Sequence, residues 1–234
     1  MQRCRLLMVV VIGTLLSACG DGGKAAVLYY AEQETGGEPF RTRMIVTPRW
    51  LRIDDGAGSP DFLLFDRRNR TIYNLSAADS SILVLLPLAV GISSPLALQN
   101  RTEKDAQKFP AVGDRPVTYY RLHTNGKLCY DLYAAEGLLP EVVQALREYR
   151  GALAGQQAVP LPDMPKELLT GCDLANNIFM PARYLDYGLP VRLSETGVRT
   201  SELLDFQDDF DAVPGLFDLP AGYRRVTLEE LRGG

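Results

Sequence analysis

Short apolar runs alternate with glycine, proline and charged residues along the first part of the chain. Runs rich in valine, isoleucine, leucine, tyrosine and phenylalanine occupy residues 27–33, 41–47, 51–54, 62–66, 71–75 and 82–86. β-Branched and aromatic segments at this spacing are typical of consecutive strands joined by short turns. Glycine, proline, asparagine and charged residues at 56–60 and 66–70 supply such turns. The pattern therefore predicts an antiparallel meander.

A hairpin is the clearest local signal in the middle of the chain. Asn125 and Gly126 separate two apolar stretches, 117–123 and 128–134. Both residue types tolerate the positive φ angles that a type I′ turn requires. Because side chains alternate along a strand, the even-numbered residues of 128–134 share one face and Cys129 lies on the other. A covalent bond from Cys129 would then hold another element over that second face.

Helical periodicity follows the hairpin. Pro140 and Glu141 suit the first turn of a helix. An apolar stripe continues at Val142, Leu146, Tyr149 and Leu153. We expect Gly151 or Gly155 to end this helix and a second helix or helical turn to cover residues 166–178.

The remaining segments give weaker patterns. A short helix is expected at 103–108. The chain returns to strands at 191–196, 199–206 and 223–226. Thr227 and Glu230 have the spacing of a capping box, so a short helix should follow.

The N-terminal segment has the features of an export signal. Two arginines precede an apolar run at 6–16, and the sequence Leu-Ser-Ala-Cys occupies 16–19. The run is too short to span a bilayer as an ordinary helix, but it suits a secretory signal. Residues 16–19 resemble the lipobox of bacterial lipoproteins, in which the cysteine thiol is lipidated and the amino group of the same cysteine becomes the new N-terminus. We expect a signal peptide at 1–18 and lipidation of Cys19, the alternative being a simple secretory segment with a chance cysteine.

The lipobox resemblance also implies a location in the cell. Each buried CH₂ of an acyl chain contributes roughly 0.8 kcal/mol, so the three chains implied here would anchor the protein permanently. Residues 19–25 would form a flexible tether. In the family's sorting rule an aspartate directly after the cysteine favours the inner membrane, but here Gly20 is in that position and Asp21 follows. We therefore expect a domain that faces the periplasm, on the outer rather than the inner membrane.

Composition narrows the possible partners. Loss of residues 1–18 removes two arginines, so the formal net charge falls from −4 to −6. An acidic chain lacks the lysine and arginine excess that phosphate binding requires, which argues against nucleic acid as a partner. No long linker divides the chain, and its length suits one domain covering residues 26–234.

Two cysteines remain after the signal and the anchor are set aside. Cys129 and Cys172 form an isolated pair in a compartment that we expect to be oxidising, which favours a disulfide. Two buried free thiols, or a metal or redox pair, are the alternatives. Neither cysteine has a second cysteine at CxxC spacing or a neighbouring histidine.

Three stretches together carry a resemblance to a known superfamily. They are Trp-Leu-Arg-Ile-Asp-Asp-Gly at 50–56, the pair Phe-Leu-Leu-Phe-Asp and Thr-Ile-Tyr within 62–73, and Leu-Phe-Asp-Leu-Pro-Ala-Gly-Tyr at 216–223. The chain resembles the periplasmic lipoprotein carriers and outer-membrane lipoprotein receptors of the Lol type. The resemblance implies an α+β fold with a curved antiparallel sheet, an incomplete β-barrel, helices packed on one face, and an apolar cavity that accepts acyl chains. The predicted helical insertion, about 138–187, is longer than in the carriers, which leaves open whether the cavity is filled.

Catalytic and metal-binding patterns give little signal. His123 is the single histidine of the chain, and its neighbours Arg121 and Asn125 suggest a solvent-facing structural position. Four acids cluster at Asp205, Asp208, Asp209 and Asp211, but their spacing differs from that of a calcium loop. We interpret them as a solvated acidic loop, and we expect no catalysis, no metal and no cofactor.

The function is therefore inferred from the expected location at the membrane and from the resemblance to the Lol-type fold. The leading hypothesis is a non-catalytic lipoprotein that binds a hydrophobic ligand or a lipidated partner. A cavity between sheet and helix would be lined by Phe62, Leu64, Leu83, Leu85, Val142, Leu146 and Tyr149. Simple core packing explains the same residues. The alternatives are a structural or accessory interaction module of an envelope complex, and a hydrolase with an unrecognised site.

Overall fold

The apolar runs fold into strands close to their predicted positions. The computed structural model describes residues 24–233, so the predicted signal peptide, Cys19 and the start of the tether lie outside it. Within that range thirteen strands form one open sheet. Their bounds are β1 Lys24–Glu34, β2 Phe40–Val46, β3 Trp50–Asp54, β4 Phe62–Asp66, β5 Thr71–Ser76, β6 Ser81–Leu85, β7 Asn100–Lys104, β8 Phe109–Val112, β9 Arg115–Thr124, β10 Lys127–Ala135, β11 Leu189–Glu195, β12 Arg199–Asp211 and β13 Arg224–Thr227.

Two meanders meet at the first strand. The order across the sheet is β13-β6-β5-β4-β3-β2-β1-β12-β11-β10-β9-β7, and β8 also pairs with β9. Strand β1 pairs with β2 on one side and with β12 on the other, both antiparallel. The fold is therefore α+β, with a large and mainly antiparallel sheet and few helices.

One edge departs from the expected antiparallel pattern. Strand β13 pairs with β6 in the parallel sense, from Arg224 opposite Ser81 to Thr227 opposite Val84. The chain leaves β12, crosses one face of the sheet as residues 212–223, and adds its last strand at the far edge. Such a crossover is what allows a parallel pair in a sheet otherwise built from hairpins.

Helix α1, Pro140–Ala158, begins at the predicted proline and is longer than expected. The prediction that Gly151 or Gly155 ends the helix was wrong, because the helix continues past both glycines to Ala158. A Cβ atom at Gly155 would lie 1.9 Å from the carbonyl oxygen of Leu88, so this glycine allows the segment after β6 to pack directly against the helix. Gln156 Nε2 also donates a 2.6 Å hydrogen bond to the carbonyl of Leu86.

The predicted second helix is broken into short pieces. A 3₁₀ turn at Lys166–Leu168 is followed by one α-helical turn, α2 Gly171–Asp173, which runs into a π-helix at Leu174–Phe179. Further 3₁₀ turns lie at Leu161–Asp163 and Arg183–Tyr187. The expectation of one regular helix over 166–178 was wrong, because Leu169 and Thr170 have extended backbone and Thr170 accepts a hydrogen bond from Asp173 N as the cap of a new helical turn.

The hairpin turn and the capping box form where the sequence predicts them. Asn125 and Gly126 have φ angles of 51° and 76°, as a type I′ hairpin requires. The capping box is formed: Thr227 N donates to Glu230 Oε2, and Glu230 N donates to Thr227 Oγ1. Helix α3, Leu228–Gly233, follows it. The short helix expected at 103–108 is wrong, because this region begins as strand β7 and pairs with β9.

The sheet has a separate hydrophobic core on each face. The face under α1, called here the helix face, packs Leu28, Leu51 and Phe65 against Val142 and Ala145. The other face, called the C-terminal face, is covered by the crossover segment. Its core contains Ile45, Phe62, Leu64, Ile82 and Phe217.

A buried carboxylate at the end of β3 ties strands to the crossover segment. Asp54 accepts hydrogen bonds from Arg43 at 2.8 Å and from Arg52 Nε at 2.7 Å. Arg52 also donates a 2.6 Å hydrogen bond to the carbonyl of Leu216 and lies over the ring of Phe62. Burial raises the pKa of Asp54, but the hydrogen bonds from the two arginines outweigh it and hold the pKa below its usual value.

Candidate functional site

The structure separates the predicted ligand residues into different places. Phe62 and Leu64 belong to the C-terminal face and point away from α1, so they do not line a space beneath the helix. Their neighbours Leu63 and Phe65 pack on the helix face instead. The prediction assigned the wrong face of the strand to the helix. Successive side chains of a strand point to opposite faces, and the run at 62–65 is apolar at every position, so it does not indicate which pair faces the helix.

The other predicted residues lie on the helix face or near it. Leu85 packs at the margin of the helix-face core, and Leu83 is half-buried on the same strand. Val142, Leu146 and Tyr149 lie along α1 as predicted, but they border two different cavities.

One cavity lies at each end of the interface between α1 and the sheet. The proximal cavity, about 650 Å³, borders Lys24 at the start of β1 and Pro140 at the start of α1. The distal cavity, about 550 Å³, borders Glu32 near the end of β1 and Leu153 on α1. Between them Leu28 and Ala145 are fully buried, so the middle of the interface is packed.

The distal cavity has an apolar wall. Its apolar residues are Phe40, Met44, Ile53, Leu63, Leu146, Leu153, Leu193 and Val198. Five charged residues border the proximal cavity, namely Lys24, Asp114, Arg115, Glu141 and Asp208, and four border the distal cavity, but the distal cavity has the greater share of apolar surface. We therefore regard the distal cavity as the better candidate for an apolar ligand.

Polar groups gather on another side of the distal cavity. They are Glu32, Thr42, Arg150, Asn177, Tyr184, Glu195, Arg199 and Ser201. Glu32 accepts hydrogen bonds from Thr42 Oγ1 at 3.1 Å and from Ser201 Oγ at 3.3 Å. Glu195 lies 3.8 Å from Arg199 and accepts a 3.0 Å hydrogen bond from Asn176.

Arg150 is held by the π-helix. Its Nη2 donates to the carbonyl of Asn176 at 2.8 Å and, more weakly, to Asn177 Oδ1 at 3.4 Å. Its Nε donates to the carbonyl of Pro181 at 3.1 Å. A π-helix leaves carbonyls out of the regular α-helical pattern and often accompanies a functional site. Here Asn177 of the π-helix borders the cavity, and the neighbouring Asn176 is buried and donates to Glu195.

A second arginine fastens the π-helix to the sheet. Arg183 donates to Asn176 Oδ1 at 2.7 Å and to Thr124 Oγ1 at 2.8 Å, and its guanidinium lies over the ring of Tyr130. Burial lowers the pKa of Arg183. Because Asn176 also bonds Glu195, this network fixes the position of the π-helix relative to β11.

Two tyrosines of the cavity are well removed from water. Burial raises the pKa of Tyr149 to about 12, and burial likewise raises the pKa of Tyr184. Both phenols are therefore protonated and neutral at physiological pH. They contribute hydroxyl groups and aromatic surface to the cavity.

The predicted disulfide is present. Cys129 and Cys172 are bonded, with their Cα atoms 5.3 Å apart. The register of β9 and β10 shifts between Leu128 and Tyr130, and this bulge interrupts the strict alternation assumed from the sequence. Cys129 and Tyr130 consequently both contact the helical insertion, through Cys172 and Tyr184.

The remaining chemical candidates lie elsewhere. His123 is only 13% exposed, and its Nε2 lies 3.7 Å from Glu103, which also pairs with Arg121. The expected solvent-facing position was wrong. The four clustered aspartates, 205–211, belong to strand β12 and not to a loop, and Lys24 pairs with Asp211 at 3.1 Å. Within residues 24–233 no group of three or more histidine, cysteine or acidic side chains is arranged to hold a metal ion.

The membrane-related expectations fall on residues that the structure does not describe. Signal peptide 1–18 and Cys19 precede the described range. None of the helices found between residues 24 and 233 combines the length and the apolar character needed to span a bilayer.

No known family profile and no curated protein matches the chain. Among solved structures, an uncharacterised conserved protein from Thermus thermophilus aligns with a TM-score of 0.45 at 9% identity, over 88% of this chain and 91% of that one. PNGF-II in a C2 crystal form aligns with a TM-score of 0.43 at 10% identity, over 89% of this chain but only 32% of that one.

Proposed function

We propose that this protein is a non-catalytic lipoprotein that is anchored at Cys19, faces the periplasm from the outer membrane, and binds a hydrophobic ligand or a lipidated partner in the distal cavity. The observation that carries the proposal is the cavity itself. Its volume of about 550 Å³ is within the range of roughly 300–1,000 Å³ that small-molecule sites occupy. A packed interior has few voids larger than a water molecule, so an apolar space of this size suits a ligand.

A curved sheet of the Lol type is part of the proposal. Leu63 on β4 and Leu193 on β11 both border the distal cavity, although four strands lie between β4 and β11 in the sheet. In a flat sheet these strands would be roughly 24 Å apart, because neighbouring strands are about 4.8 Å apart. A helix with its side chains is only about 10–12 Å across. Curvature around α1 accounts for this arrangement.

Ligand binding can be measured with a fluorescent fatty acid. We expect saturable binding to the purified protein, together with co-purified lipid in native mass spectrometry. Leu153→Trp should abolish binding by filling the distal cavity, since Leu153 borders it. Gln144→Trp is the matched control, because Gln144 is exposed on the same helix and should leave binding unchanged. No binding to the wild type, or equal binding to both variants, would contradict the proposal.

The anchor has a separate test. Cys19→Ala removes the thiol that accepts the lipid, so an unprocessed and unlipidated precursor should accumulate. Metabolic labelling with palmitate and fractionation of the envelope would measure this. Detection of normally lipidated mature protein in the variant would refute the anchor without bearing on the cavity.

An interaction module remains the second candidate, and one surface favours it. Leu86, Leu88 and Val159 are exposed where the segment after β6 meets the end of α1. Exposed apolar groups of this kind can belong to a protein interface. If the distal cavity binds no lipid, substitution of these residues by serine should disrupt a complex that is isolated by cross-linking in the envelope.

A further inference from the structure

We infer that the distal cavity takes a zwitterionic amphiphile, whose anionic group pairs with Arg150, whose ammonium group pairs with Glu32, and whose chain lies along the apolar wall. This inference rests on the proposed function and specifies its ligand. It follows from the two charges of the cavity that have no countercharge in contact.

Arg150 is the positive charge. Its hydrogen bonds go to two backbone carbonyls and to the side-chain oxygen of Asn177, all of them neutral acceptors. Across the part of the chain that the structure describes, no carboxylate lies within 4 Å of its guanidinium. A largely desolvated cation gains most from an anion placed beside it, because water screens the pair poorly there.

Glu32 is the negative charge. Thr42 and Ser201 donate hydrogen bonds to its two oxygens, but neither hydroxyl carries charge. No lysine, arginine or histidine among residues 24–233 lies within 4 Å of it. The hydroxyls orient the carboxylate at the cavity wall and leave its charge uncompensated.

The other two ionic groups of the cavity form a pair of their own, although the charge of Glu195 also acts on Arg150 from beyond contact distance. Glu195 and Arg199 lie 3.8 Å apart, and Asn176 also donates to Glu195. The cavity therefore has no net charge, so a purely anionic head group near Arg150 would be repelled by Glu32. A purely cationic head group would be repelled by Arg150. A head group that carries both charges satisfies both residues.

The two charges thus indicate a head group that carries both an anionic phosphate or carboxylate and an ammonium group, attached to an acyl or alkyl chain. A phospholipid head group and a free zwitterion share this chemistry. Apolar residues such as Met44, Leu63 and Leu153 offer a wall for a chain but no partner for a charge.

The test is a titration of the full mature protein by calorimetry with chain-matched amphiphiles below their micellar concentrations. The probes are lysophosphatidylethanolamine, lysophosphatidic acid, a monoacylglycerol and an alkylamine, with glycerophosphoethanolamine as the head group without a chain. We expect lysophosphatidylethanolamine to bind about tenfold tighter than any of the other three amphiphiles, as one good ionic contact provides. Binding of glycerophosphoethanolamine with equal affinity would assign the site to a free zwitterion, and much weaker binding would assign it to a lipid.

Variants connect the preference to the two residues. Glu32→Gln keeps acceptors and donors for Thr42 and Ser201, and should reduce the preference for lysophosphatidylethanolamine over lysophosphatidic acid about tenfold. Arg150→Gln should abolish the preference over the alkylamine. If Arg150→Gln fails to fold, Arg150→Lys decides, because it retains the charge and should retain the preference. Arg225→Gln is the control, since Arg225 is exposed on β13, at the far edge of the sheet, and does not border the distal cavity.

The outcomes separate this inference from the proposed function. Equal binding of all chain-matched amphiphiles, or tighter binding of the anionic or the cationic one, would overturn the zwitterion assignment and leave the hydrophobic site intact. Binding of none of them would overturn both. A preference that survives Glu32→Gln and Arg150→Gln unchanged in magnitude would show that these residues do not set it.

Discussion

The two faces of strands β3–β6 are built from alternate residues of the same short runs, yet they differ in what covers them. On the C-terminal face Phe62 and Leu64 pack against the crossover segment, which carries Phe217. On the helix face Leu63 and Phe65 lie towards α1, and there the contact is close only in part. Phe65 reaches the ring of Tyr149, with centroids 5.7 Å apart, whereas Leu63 borders the distal cavity.

The difference follows from the shape of the covering element. An irregular segment can follow a sheet surface residue by residue, so it closes over the apolar side chains. A helix presents a rigid cylinder, and its contact with a twisted or curved sheet opens towards the ends. Cavities at both ends of α1, with packed side chains between them, are the result. Space for a ligand is therefore expected under the helix and not under the crossover.

The largest effects should come from the packed residues of both faces. Phe65→Ala is expected to lower the free energy of unfolding by about 3–5 kcal/mol and Leu64→Ala by about 2–5 kcal/mol, because each side chain is fully buried. Urea denaturation followed by circular dichroism measures both. A cost below about 1 kcal/mol for either residue would mean that its face is not a true core.

The disulfide should stabilise the helix face selectively. Reduction, or Cys129→Ser with Cys172→Ser, opens a loop of sequence separation 43 and should cost about 2–4 kcal/mol. Hydrogen exchange should show lost protection at α2 and the π-helix, while β3–β6 keep theirs. Uniform loss of protection over both faces would contradict a local role for the bond.

Asp54 should stabilise chiefly the C-terminal face, since its carboxylate positions Arg52 beneath the crossover segment. Asp54→Asn is expected to cost about 1–3 kcal/mol at pH 7, by breaking a buried but partly solvated ionic cluster. The folded-state pKa of Asp54 is lowered, so its contribution is present above the unfolded value near 3.8 and is lost as the pH falls through the folded value.

Unfolding curves at a series of pH values test this assignment. The stability difference between wild type and Asp54→Asn should narrow below about pH 4, where the carboxyl becomes protonated in the unfolded chain. A difference that stays constant down to about pH 2 would exclude the carboxylate as its source.

The smallest effect on stability is expected at the cavity wall. Leu63→Ala should cost about 1 kcal/mol or less, because Leu63 is half-buried beside existing space and opens no new cavity. Fatty-acid affinity should nevertheless fall several-fold, whereas Leu64→Ala should leave the affinity of the folded fraction unchanged. The reverse ranking would place the ligand on the C-terminal face.

Several features were determined by local sequence. The runs at 27–33 and 62–66 became strands, because β-branched and aromatic residues favour extended backbone wherever they pair. Asn125 and Gly126 specified their turn through the φ angles they tolerate. Cysteine count and expected compartment were enough to predict the pair Cys129–Cys172.

Other features depended on contacts between distant parts of the chain. Period-two alternation shows that neighbouring residues face opposite ways, but it does not show which set lies under α1, so Phe62 and Leu64 were assigned to the wrong face. The parallel pairing of β13 with β6 joins segments far apart in sequence. The extension of β12 through the clustered aspartates depends on β1 as its partner, since isolated acidic residues have little tendency to form strands.

The candidate site shows the same division. The sequence by itself determined the apolar stripe on α1, from which Leu146 and Tyr149 border the distal cavity. Only the tertiary structure brought Arg150, Glu32 and the π-helix to the same space. Arginine, glutamate and asparagine are ordinary surface residues in a sequence. Arg150 and Glu32 become informative only when packing removes their charges from water and leaves no countercharge in contact with them.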